Sequence, residues 1–244
     1  MRNNSGLPKP FKIICLAFSL WTGMSAQAGL FSNSRSWKEE VLLHDGHKII
    51  IDRTDRLGGF PAIESRERET LSETVSFTLP GSKKKISWAT DFKDSAPEPN
   101  SLNLLLLDIV DGIPYIATYP AGCIAYNKWG RPNPPYIVFK YDDNQWKRIK
   151  LEDLPKELKQ PNVIVGGPPA DLLKSEYSAE QVNELNDGIR TVEYRTIIRV
   201  PAAISESRCL NLVPRKGGGW ETPGGFRSIK SITVPPRPEV ENKN

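Results

Sequence analysis

The chain has 244 residues, with 33 Lys and Arg against 29 Asp and Glu, giving a formal charge of +4. Hydrophobic residues make up 38% and the mean hydropathy is −0.43, values that exclude a multi-span membrane protein. Three cysteines exclude a disulfide-dense miniprotein, and the glycine and proline counts of 18 and 21 exclude collagen.

The N-terminus reads as a targeting segment. Arg2, Lys9 and Lys12 form a basic stretch without acids, an apolar run extends from Ile13 to Trp21, and Ala26-Gln27-Ala28 offers small residues for cleavage. The apolar run is too short to cross about 30 Å of hydrocarbon as a helix. Residues 1–28 are therefore expected to be a cleaved signal peptide of the general secretory route, since no twin-Arg pair is present. The mature chain, 29–244, then goes to the periplasm or is secreted, with no integral membrane span. Three of the four excess positive charges leave with the signal, which removes the argument for nucleic acid as a partner. Cys15 leaves too. Cys123 and Cys209 remain, and in an oxidising compartment a disulfide between them is the default, with free thiols or metal ligation as the alternatives.

The mature chain is patterned mostly as short strands. Residues 37–44 and 47–53 form two arms around Asp45-Gly46, which predicts a hairpin with a two-residue turn. Residues 72–79 alternate, with Val75, Phe77 and Leu79 on one face, and end at Pro80-Gly81. Residues 85–90 make another strand, and 91–101 a polar loop. Strands at 102–110 and 113–119 flank Asp111-Gly112. A loop at 120–135 carries Cys123, Trp129 and several prolines, and strands at 136–141 and 145–151 flank Asp142-Asp143-Asn144. These four strands predict an antiparallel meander. A turn is expected near Pro155. Ser178-Ala179-Glu180-Gln181 is a capping box that predicts one short helix near 179–187. A strand is expected at 193–200, a glycine-rich section around Trp220, a last strand at 228–234, and a polar tail at 235–244. The expected fold is mainly β: one antiparallel domain over 29–234, meander-like or sandwich-like.

The stretch Trp37-Lys38-Glu39-Glu40-Val41-Leu42-Leu43-His44-Asp45-Gly46 resembles the opening of a group of exported proteobacterial proteins. Asn127-Lys128-Trp129-Gly130-Arg131-Pro132-Asn133-Pro134-Pro135-Tyr136, with Phe139-Lys140-Tyr141 and Trp146 beyond it, is similar to the same group. The resemblance implies export and a shared fold. It carries no activity and no site residues.

Candidate chemistry is sparse. His44 and His47 are the only histidines, and as a closing cross-strand pair they would offer two imidazoles to Zn²⁺ or Cu²⁺, or form a bland exposed hairpin tip. No Walker A, G-x-G-x-x-G, H-E-x-x-H or G-x-S-x-G motif is present, so no cofactor is expected. A Ser-His-Asp triad would have to use one of the two hairpin histidines. Paired acids at Asp108/Asp111 and Asp142/Asp143 suit a glycosidase on paper, but Asp111, Asp142 and Asp143 sit where turns favour Asp. Trp129, Arg131 and Tyr136, on a loop stiffened by proline, have the composition of a binding hot spot, and Trp220 among glycines is a further candidate. The competing reading is that Trp129 plugs the end of a sheet. The expected function is an exported cell-envelope protein that binds a protein or envelope ligand, or serves structurally, without enzymatic activity. The alternatives are an envelope hydrolase using Asp/Glu chemistry and a metal-binding module at His44/His47.

Overall fold

In the alternating strands Trp37, Glu39, Val41 and Leu43 share one face, and so do Ile51, Arg53 and Asp55, and Glu73, Val75 and Phe77. A half-buried sheet is the structure that such period-two patterns select. The computed structural model describes residues 34–58, 68, 70–90, 102–202, 209–216 and 219–223. The signal segment expected at 1–28, the loop expected at 91–101, the strand expected at 228–234 and the tail expected at 235–244 lie outside these residues.

The architecture is mainly β and antiparallel. Strands β1 (Ser34–Leu42), β2 (Lys48–Leu57), β3 (Thr70–Thr78) and β4 (Lys85–Ala89) form one sheet in the order β4-β3-β2-β1. Strands β5 (Leu102–Val110), β6 (Ile113–Pro120), β7 (Ile137–Asp142) and β8 (Gln145–Ile149) form the expected meander. Strand β9 (Glu176–Tyr177) joins the first sheet beside β1 and is parallel to it. The tight turns obey their residues: Asp111, Asp143 and Asn144 all have positive φ (51°, 51° and 63°), as primed hairpin turns require.

The two sheets face each other. Val41, Ile51, Val75, Phe77, Ile86 and Trp88 of the first meet Leu104, Leu107, Ile109, Ile116 and Ile137 of the second. Burying each such side chain stabilises the fold by roughly 1.5–3 kcal/mol before entropy is counted. The meander is covered on its other face as well. A register shift between Leu104 and Leu106 bulges β5, so that Leu105 and Leu106 both turn away from the first sheet and pack with Tyr115, Ala117, Leu154, Leu158 and Ile197. Burial on both sides explains why β5 reads as a continuous apolar run. Asn162 stitches the layers: its side-chain amide donates to the Leu42 and Leu107 carbonyls and its oxygen accepts the Leu107 N–H.

Three expectations are corrected. The β1–β2 hairpin has a three-residue loop, because Leu43 pairs with His47 and Gly46 takes φ 88° as the last loop residue. His44 and His47 are therefore not cross-strand partners. The segment at 193–200 is not a strand. It begins with a helical turn, α3 (Val192–Arg195), and its backbone is met by Lys159 and by the Tyr136 hydroxyl instead of a ladder. The loop at 120–135 contains a helix, α1 (Cys123–Lys128). The helix α2 (Ala179–Asn186) forms as expected, with Gln181 N–H donating to Ser178 Oγ and Ser178 N–H to Gln181 Oε1. Cys123 and Cys209 form a disulfide. Among the described residues no helix is long and apolar enough to cross a membrane.

Candidate functional site

The proline-bearing segment C-terminal to α1 borders a groove of about 590 Å³, a size suited to a small ligand or a stretch of polymer. One wall is Pro132, Asn133, Pro134 and Tyr136. The other is the end of β8 and the three residues beyond it, running through Arg148, Ile149, Lys150, Leu151 and Glu152, with Arg199 and Pro201 closing the side. Arg199 is locked in place by donating to the carbonyls of Leu151, Leu154, Pro155 and Leu158. None of these four acceptors is a carboxylate, and Arg199 has no carboxylate partner among the described residues. Arg148 lies over the Trp129 ring at 5.4 Å, and neither Arg148 nor Lys150 has a carboxylate partner among the described residues. Three cations thus face one acid, Glu152.

Of the four residues proposed for binding, Tyr136 lines this groove. Its ring is buried, and its hydroxyl lies 2.7 Å from the Glu193 carbonyl and 3.0 Å from that of Thr196 while accepting the Ile198 N–H. Burial pushes the phenol up to about 12, so it stays a neutral donor. Trp129 does not line the groove. It is half-buried against the inter-sheet core and meets Phe139 edge-on at 6.4 Å. Arg131 turns elsewhere: it covers the Tyr126 ring at 5.0 Å and donates to the Cys209 and Leu210 carbonyls, fastening the disulfide's second arm to α1. Trp220 belongs to a two-stranded ribbon, β10 (Val213–Pro214) with β11 (Trp220–Glu221), where it pairs with Pro214.

The two histidines take different carboxylates. His47 is exposed, 3.1 Å from Asp45. His44 turns inward, its Nδ1 2.7 Å from Asp108 Oδ1, while Asp108 Oδ2 accepts the His44 backbone N–H. His44 and Asp108 lie on a second groove of about 420 Å³ with Glu157, Lys159 and Asn183. Among the described residues no group of three or more His, Cys, Asp and Glu is placed to hold a metal ion. The Asp108 hydrogen bond raises the His44 pKa above the ordinary 6.5; burial opposes it, and the negative charges of Asp108, Asp45 and Glu157 add to the rise. A raised imidazole pKa stabilises the fold below the unfolded-state pKa, and that contribution is lost as pH rises through the folded-state value. Thermal unfolding measured from pH 6 to pH 9 should show a loss of stability in this window that His44→Gln abolishes and His47→Gln does not.

A third constellation was not anticipated. On the inner face of the first sheet, Arg53 is buried between Glu39 and Glu73, donating to Glu39 Oε1 at 2.7 Å and to Glu73 Oε1 at 2.6 Å. Beside it Arg35 holds Asp55. Burial raises the Glu73 carboxyl well above the usual range, only partly offset by Arg53. Three acids, Glu39, Asp55 and Glu73, thus share two guanidiniums. Residues of the covering segment complete the set. Ile164 gives its N–H to Glu39 and its carbonyl to Arg53, and Pro168 accepts from Arg35. Gly167, at φ 77°, passes so close that a Cβ would lie 3.0 Å from the Arg35 guanidinium. Converging carboxyls with a shifted pKa are what a hydrolase needs, but Glu39 and Glu73 are 0% and 3% exposed, out of reach of a polymer. The phase of Glu39 with Trp37 and Val41, and of Arg53 with Ile51, was the available signal.

No family model matches this chain, and neither do curated proteins or solved structures.

Proposed function

We propose that the chain is exported to the cell envelope through its N-terminal signal and works there as a binding domain, taking an extended anionic ligand in the groove between Pro132–Tyr136 and the end of β8. The observation that carries this reading is the imbalance of charge: Arg148, Lys150 and Arg199 against Glu152 in a preformed concavity. A groove lined by one sign of charge concentrates ligands of the other. The locked Arg199 and the proline wall lower the entropy cost of binding. The disulfide fits an oxidising compartment. Hydrolysis and metal binding find less support, since the converging acids are sealed inside and the two imidazoles are apart.

The test is titration of the full mature chain with fluorescently labelled polyglutamate and with oligogalacturonate, two polyanions of different backbone. Saturable binding of either is expected, weakening as salt is raised. Lys150→Glu should cost about tenfold in Kd, or roughly 1.4 kcal/mol. Binding that survives Lys150→Glu and Arg148→Glu unchanged would place the ligand elsewhere.

A further inference from the structure

Part of the groove wall is bare backbone. Among the described residues strand β8 is the outermost of its sheet and pairs with β7 alone. The two-residue turn Asp143-Asn144 makes Asp142 and Gln145 the closing hydrogen-bonded pair. Alternation along an antiparallel ladder then makes Lys140–Lys147 and Val138–Ile149 hydrogen-bonded pairs as well. Trp146 and Arg148 therefore direct their N–H and C=O groups outward. No described residue meets these backbone groups; the nearest tie is the Trp146 indole, whose Nε1–H donates to the Ser87 carbonyl. Two outward-facing residues separated by one intervening residue match the repeat of an extended strand, about 6.8 Å for two residues.

We infer that β8 is a docking edge, on which an extended acidic peptide adds as a further strand and exchanges backbone hydrogen bonds with Trp146 and Arg148. This deepens the anionic-groove reading and rests on it. Main-chain pairing supplies affinity in this mode and the flanking side chains supply selectivity. Here the flanking charges are Arg148 and Lys150, with Lys147 already tied to Asp142 and Asp143. The same charges select the occupant. A second copy of β8 would set Arg148 and Lys150 against their own likeness, the arrangement by which basic residues keep free edges from pairing with each other. A carboxylated glycan satisfies the cations but has no N–H and C=O groups at strand spacing.

The experiment uses the full mature chain and an acetylated, amidated (Glu-Val)4 peptide, monitored by fluorescence anisotropy. Two isomers of the peptide are compared, one N-methylated at every Glu amide and the other at every Val amide. In a strand added to an edge, only alternate residues give their N–H to that edge. The expected result is saturable binding of the parent peptide and a loss of at least tenfold confined to one isomer. Equal affinity of the two isomers, whether as tight as the parent or weaker, overturns edge docking. So does a chain that takes oligogalacturonate and refuses the peptide, although the anionic groove would then stand. A chain that takes neither overturns both readings together.

Discussion

Arg53→Met should leave the domain largely unfolded at 25 °C, with its urea midpoint collapsed or absent. Arg53 is 1% exposed, and its guanidinium is the shared partner of Glu39 and Glu73. Removing one member of a buried ionic set costs about 3–5 kcal/mol, because the remaining charges keep their desolvation penalty without its compensation. Two carboxyls lose their guanidinium and the Ile164 carbonyl loses one of its donors at once, against a typical total stability of about 5–15 kcal/mol. Arg53→Lys should rescue little, because an ammonium cannot reach Glu39, Glu73 and Ile164 with the fixed fork of a guanidinium. The triple change Arg53→Met, Glu39→Gln, Glu73→Gln should recover a substantial part of the midpoint by removing the stranded charges. A triple variant no better than Arg53→Met alone would mean that packing, not charge, sets the cost. Urea titration monitored by tryptophan fluorescence reads all four proteins.

The second large effect is expected from the disulfide. Cys123 and Cys209 are 86 residues apart in sequence. For a loop of that length the chain-entropy model gives a stabilisation of roughly 4 kcal/mol. At this size that corresponds to a fall in Tm of about 8–16 °C for Cys123→Ala, Cys209→Ala or for the reduced protein. The damage should be local before it is global. The six-residue α1 is too short to persist by itself. It is held by the disulfide, by Asn127, whose amide donates to the Leu210 carbonyl, and by Arg131. Hydrogen exchange should therefore show amides of α1 and of residues 209–216 opening first, while those of β5 and β6 stay protected. Uniform loss of protection would contradict that order.

Much of this fold was legible in the sequence because its turns are chemically explicit. Asp111-Gly112 and Asp143-Asn144 fix their hairpins, and the Ser178 capping box fixes its helix. What was not legible depended on distant partners. The tract with Tyr194, Ile197 and Ile198 has the composition of a strand, yet it joins neither sheet. Tyr119 stacks on Tyr194 at 4.1 Å and the Tyr136 hydroxyl takes up its backbone groups. The His44–His47 pairing failed by a single residue of loop length, which sent His44 to Asp108, 64 positions away. At the candidate site, Tyr136 was found from local composition. Arg148, Lys150 and Arg199 were missed because nothing in sequence links a strand end to a segment some fifty residues later. Arg131 has the residue type of a hot spot, but its φ of 54° and its carbonyl partners commit it to holding the chain together.

The cover over the charged half of the first sheet has a bearing on how this chain comes into being. Strands β1 to β4 are neighbours in sequence and pair through local contacts, the kind that form early in folding. Their inner face is then half apolar and half ionic, and Glu39, Arg53 and Glu73 remain hydrated until Ile164 and Gly167 arrive to seal them. The outer edge of β1 stays open until residues 175–177 reach it. A nascent sheet with water-loving groups in its unfinished seam makes a poor template for stacking on its neighbours. The ionic set that costs desolvation in the finished molecule is thus one whose cover lies in the second half of the chain, so the first layer cannot be sealed before that half is present.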